Sequence, residues 1–139
     1  MASAFKMNDP AAPAQLLHGF YGVESGSWRW TTGKFSVFLR SPLAAAQRGG
    51  TLTFSFSIPD ISIQKLKSIT LTAAVGPTAL KSETYTKSGA YTLTADVPAE
   101  LLTKEATTFD FSLDKSMPPG SVDQRELGVI ATAVGLETK

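Results

Sequence analysis

The chain reads as an all-β protein, an antiparallel two-sheet β-sandwich of jelly-roll-like kind with about eight strands, and three observations lead there. Apolar residues recur with a period of two, Gly and Pro clusters punctuate the chain at intervals of roughly 8–15 residues, and almost no stretch carries a helical period. The clearest segment is "GTLTFSFSI", where Leu52, Phe54, Phe56 and Ile58 share one face and Thr51, Thr53, Ser55 and Ser57 the other. The same rhythm aligns Ile69, Leu71, Ala73 and Val75, then Tyr91, Leu93, Ala95 and Val97, then Phe109, Phe111 and Leu113. "KFSVFLR" is apolar on both sides at Val37, Phe38 and Leu39, which suits an interior strand or a bulge. In the last strand the period places Ile130, Val134 and Leu136 together, while "LLHGFYG" and "LKSETYT" complete the set.

Turns are expected at Gly49-Gly50, Pro59-Asp60, Gly76-Pro77, Ser88-Gly89 and Pro118-Pro119-Gly120. "PAELLTKEA", with Pro98 at its start and Glu100 in its first turn, is expected as a single connecting helical turn. Residues 1–15, rich in Pro and Ala, read as a flexible N-terminal arm or linker remnant, and residues 16–139 as one sandwich domain. A chain of 139 residues can close a core from such strands, since each inward Phe or Leu is worth roughly 1.5–3 kcal/mol.

Composition narrows the function. Thirteen Lys and Arg stand against twelve Asp and Glu, so no basic field favours nucleic acid. No apolar stretch approaches the ~20 residues of a membrane span, and no signal-peptide core is recognised, so membrane insertion is not expected and a cytoplasmic location is. Without cysteine there are no disulfides or thiolate sites, and His18 is the sole histidine; no metal or other cofactor is expected. No D-x-D-x-D-G calcium loop and no phosphate-cradling glycine loop is present.

Two clusters bear chemistry. "HGFYGVESGSWRW" brings Tyr21, Glu24, Trp28 and Arg29 into nine positions, offering aromatic faces for the apolar side of a pyranose and charged groups for its hydroxyls. The plainer reading turns Trp28 and Trp30 inward as core plugs, with Arg29 outward and paired to a carboxylate. The mixed assignment is that Trp30 seals the end of the sandwich while Trp28 and Tyr21 remain for contact. "SVDQRELGV" supplies Asp123, Arg125 and Glu126; Asp123 and Arg125 suit a bidentate pair, with Glu24 a further partner, either as a structural clasp or to hold a sugar diol.

No catalytic residues emerge. Glu24 with Asp123 or Glu126 would have to meet the roughly 5–10 Å carboxylate spacing of a glycoside hydrolase, and nothing local marks an acid or nucleophile. A Ser-His-Asp site would need His18, which reads better as a hydrogen-bonded strand residue because no G-x-S-x-G turn is present.

On Gly19, Phe20, Tyr21, Glu24, Arg29 and Trp30 near the start, and Asp123, Arg125, Leu127 and Gly128 near the end, the chain resembles a bacterial β-sandwich accessory module associated with glycosyltransferases and polysaccharide-biosynthesis proteins. That resemblance implies a noncatalytic carbohydrate-associated binding module of a glycan-biosynthesis or glycan-recognition system. The alternative is a structural or protein-interaction sandwich without sugar binding, in which a sheet face or edge meets a protein partner.

Overall fold

The alternating segments become strands in the computed structural model, which describes residues 1–120 and 123–139. Among the described residues there are nine: β1 (Ala4–Lys6), β2 (Leu16–Glu24), β3 (Trp28–Arg40), β4 (Gly50–Ile58), β5 (Ile69–Val75), β6 (Thr78–Tyr85), β7 (Gly89–Val97), β8 (Ala106–Leu113) and β9 (Ile130–Thr138). Two short helices, α1 (Ala45–Arg48) and α2 (Asp60–Leu66), and 3-10 turns at Ala12–Ala14 and Ala99–Leu101 complete the description. "PAELLTKEA" therefore contributes one turn. Helix α2 was not legible as such: Pro59 at its N-cap and Asp60 in its first turn look the same as a strand-ending turn.

All pairings are antiparallel, and the strands follow the order β6-β5-β8-β3-β9-β4-β7, with β1 added to β9 and β2 to β3. Two separate sheets were expected, whereas the hydrogen-bonded path is continuous. The cause is the length of β3, whose residues 34–40 pair with β8 while Arg29 and Trp30 pair with β9.

The interior is aromatic. Phe35 of β3 stacks on Phe111 of β8 at 5.2 Å between ring centres, and Phe54 of β4 packs against Phe111 at 4.9 Å and Phe35 at 5.5 Å. Residues from strands far apart along the sheet thus meet ring to ring, and burial of Leu52, Phe54, Phe56 and Ile58 follows the alternation of β4 residue by residue.

Strand β9 departs from simple alternation. Ser55 is opposite Ala133 but Phe56 is opposite Ala131, so Thr132 is an extra residue, and its hydroxyl donates to the Ser55 carbonyl at 3.0 Å. One added residue moves the core face from odd to even positions. Val129 and Ala131 are buried before the bulge and Val134 and Leu136 after it, so Ile130 does not share their face as expected.

The segment expected as a loose arm is stitched into the sheet. Phe5 and Met7 are buried, Met7 N–H donates to the Thr132 carbonyl at 2.9 Å, and Leu136 N–H to the Ser3 carbonyl at 2.8 Å. Buried Gln15 closes the loop, its side chain bonding both the N–H and the carbonyl of Ala2 and donating to the Phe38 carbonyl at 2.7 Å. Composition concealed this because two apolar side chains, Phe5 and Met7, suffice to seat a three-residue strand.

Candidate functional site

The β2-β3 hairpin and the segment leading into β9 converge at one end of the sheet. Ser25 and Gly26 carry positive φ angles of 51° and 65°, which turn the chain so that Glu24 lies opposite Trp28. Facing them, Arg125 makes a forked contact with Asp123, Nε to Oδ1 at 3.0 Å and Nη2 to Oδ2 at 2.8 Å, while its backbone N–H donates to Oδ1 at 3.0 Å. Its Nη1 reaches Glu24 Oε2 at 3.5 Å, and the guanidinium carbon lies 5.0 Å from the centre of the Tyr21 ring. Tyr21 then donates its hydroxyl to the Glu126 carbonyl at 2.8 Å. Tyr21, Glu24, Asp123 and Arg125 are therefore brought together, from residues about a hundred positions apart. Ser121 and Val122, at the start of the terminal charged stretch, lie outside the described residues.

Electrostatics lock the pair. Hydrogen bonds from the Arg125 side chain, then from its backbone N–H, hold the Asp123 carboxyl down to about 2, and Asp123 in turn raises the guanidinium above its ordinary value. Because the folded value lies below the unfolded one, the stabilisation is complete above about pH 4 and is lost as pH falls towards 2. Carboxyl NMR of Asp123 is expected to titrate near pH 2; a midpoint near 4 would show that the fork does not form in solution.

Arg29 and the tryptophans depart from expectation. Among the described residues Arg29 pairs with no carboxylate: Nε donates to the Met7 carbonyl at 2.9 Å and Nη1 to the Tyr21 carbonyl at 3.1 Å, tying the N-terminal segment to the hairpin. Thr31, Phe35, Val37 and Leu39 face the core, so alternation places Trp28 and Trp30 on the other side of β3, both half-buried. Trp30 is not a core plug. The Trp28 indole Nε1 is buried without a hydrogen-bond partner among the described residues. Acrylamide is expected to quench tryptophan emission to an intermediate degree, between a free indole and a core indole, and full shielding of both would contradict this placement.

Sequence reasoning singled out Glu126 without its function. Its Oε2 accepts from Gly33 N–H at 2.9 Å and from the Ser116 hydroxyl at 2.6 Å, and Met117 bridges Leu127, so the terminal segment is pinned to β3 and to the chain after β8. Beside this clasp lies a groove of 340 Å³ whose walls include Ile61 and Lys65 of α2, Met117 and Pro118, and Asp123, Arg125 and Leu127.

His18 meets a serine, though not as a catalytic base. Its Nε2 lies 2.9 Å from Ser36 Oγ, and Ser36 donates to Asp110 Oδ1 at 2.6 Å. The serine proton is thus directed at the carboxylate and the imidazole donates to the serine, the reverse of what nucleophile activation needs. Among the described residues, no group of three or more His, Asp or Glu side chains is arranged to hold a metal ion.

No protein-family model matches the chain, and comparison with curated proteins finds no match. Among solved structures it is similar to one described as "CBM4 structure and function", with a TM-score of 0.44 and 15% identity over 98% of this chain and 85% of that one. It is also similar to the structure of CBM51-2 in complex with GlcNAc and INT domains from Clostridium perfringens ZmpB, with a TM-score of 0.41 and 11% identity. That alignment covers 98% of this chain and 28% of the other.

Proposed function

We propose that this chain is a noncatalytic glycan-binding module, a bacterial β-sandwich accessory domain of a glycan-biosynthesis or glycan-recognition system. In this reading the strand groups joined through β3 form the two layers of a jelly-roll-like sandwich, and ring contacts between Phe54 and Phe111 support it. The ligand lies in the groove beside the clasp.

One observation carries the functional reading: an apolar surface of Ile61, Met117, Pro118 and Leu127 faces a preset Arg125-Asp123 pair within 340 Å³. Sugars present both surfaces, C–H faces to apolar side chains and hydroxyls to charged acceptors and donors. The groove volume lies within the roughly 300–1,000 Å³ range of small-molecule sites. Tyr21 and Glu24 hold Arg125 from behind, while Trp28 and Arg29 support the hairpin that carries them.

The test is calorimetry against a glycan panel with Ile61→Glu, a half-exposed position on the groove lip where folding is little affected. Loss of binding by at least about tenfold, some 1.4 kcal/mol, is expected. Unchanged binding by Ile61→Glu would reject this groove as the site, and a stable oligomer that binds no glycan would favour the protein-interaction reading.

A further inference from the structure

Phe38 breaks the pattern of its face. On β3 the outward positions Lys34, Ser36 and Arg40 are polar, yet Phe38 between them is a half-buried aromatic whose neighbours Val37 and Leu39 already fill the core side. Sequence alone showed three consecutive apolar residues here, and neither the core nor the clasp uses the middle one.

Next to Phe38 the sheet has a step. Strand β8 pairs with β3 along residues 106–112, but β5 pairs with β8 only from Leu71–Leu113 to Ala74–Asp110. Past Val75 the chain turns away at Gly76, so residues 106–108 have β3 on one side and no β5 residue opposite. An antiparallel strand sends alternate N–H and C=O groups to each side, and here one side opens onto a groove. That groove measures 590 Å³; its lining includes Phe38, Val75, Glu100, Lys104, Thr108 and Asp110.

The acceptor in the groove is preset. Asp110 sits in a cross-strand row between Ala74, whose single methyl leaves room, and Ser36. Ser36, 2% exposed, donates to Oδ1 and is itself held by His18, so the carboxylate orientation is fixed before any ligand arrives.

We propose that this groove is a second ligand site and that its ligand is a neutral oligosaccharide of pyranose units. Phe38 offers the apolar ring face, and Asp110 and Glu100 accept hydroxyl protons. Lys104, Thr108 and the open edge of β8 supply the remaining donors and acceptors. A peptide added as a strand would find only three residues of open edge, residues 106–108, and would leave both carboxylates unused. The proposal is independent of the clasp groove, which lies among different residues.

Nitrogen-15 NMR titration of the intact chain with cellohexaose, xylohexaose, mannohexaose and chitohexaose tests it. With at least one of them, saturable shifts are expected at the amides of Phe38, Val75, Lys104, Thr108 and Asp110. Phe38→Ser and Asp110→Asn should each weaken that binding at least about tenfold, and exposed Glu100→Ala, which cannot disturb the core, about fivefold. Thermal melts establish that each variant is folded. Absence of shifts at these amides with all four sugars overturns the proposal. So does binding that survives Phe38→Ser, Asp110→Asn and Glu100→Ala but is abolished by Ile61→Glu, which would leave the clasp groove as the one site.

Discussion

Phe35→Ala is expected to destabilise the protein by about 3–5 kcal/mol. Phe35 is fully buried and its ring meets three others, Phe20 at 5.4 Å, Phe54 at 5.5 Å and Phe111 at 5.2 Å. Truncation removes the transfer free energy of a phenyl group and leaves a cavity whose walls belong to β2, β3, β4 and β8, all held by ladder hydrogen bonds. Such walls cannot collapse inward, which places the cost at the upper part of the range. Against a total of about 5–15 kcal/mol for a domain of this kind, a loss of about 5 kcal/mol removes between about a third and all of the stability. Urea unfolding followed by circular dichroism measures it as a drop in midpoint with the slope unchanged. Phe38→Ala, three residues along the same strand and facing outward, is expected to cost less than about 1.5 kcal/mol. Equal losses at the two positions would mean that the assignment of faces on β3 is wrong.

That contrast also explains what the sequence disclosed. Strands β4 and β7 were legible in full because nothing interrupts their pairing from Gly50–Val97 to Ile58–Gly89, so polarity and burial keep step. Strand β9 was legible only in part, since a bulge is a property of two strands together and Thr132 carries no mark of it. The continuous sheet was hidden for a similar reason: only the thirteen residues of β3 hint that one strand serves two partners. In the clasp, the pairing of Arg125 with Asp123 and Glu24 could be read from residue types, whereas the two backbone carbonyls that hold Arg29 could not, because carbonyls leave no trace in a sequence. The groove beside β8 arises from where β5 stops. Phe38 was its one visible sign.

Glycine offers the sharpest remaining test, because Gly128 is required by space and not by its φ angle. A Cβ built there would lie 2.4 Å from the Thr32 carbonyl oxygen, 2.5 Å from Thr31 Oγ1 and 2.8 Å from Leu113 Cδ1. Two of these atoms belong to Thr31 and Thr32 of β3, and the Thr32 oxygen is backbone, which cannot rotate aside. Making room separates the final segment from β3 and breaks two bonds, Gly128 N–H to the Thr31 carbonyl at 2.6 Å and Val129 N–H to Thr31 Oγ1 at 3.1 Å. Overpacking costs about 1–3 kcal/mol and each lost hydrogen bond about 1, so Gly128→Ala is expected to destabilise by about 3 kcal/mol or more. The damage should spread to the clasp, since Glu126 and Arg125 are adjacent in the chain: Gly33 and Ser116 lose their shared acceptor, and the Asp123 carboxyl moves back towards its ordinary range. Gly22→Ala is the matched control, because a Cβ there meets nothing within 4 Å among the described residues. A thermal melt in which Gly128→Ala and Gly22→Ala behave alike would show that the end segment does not lie against β3, and the clasp groove could not then have the walls described.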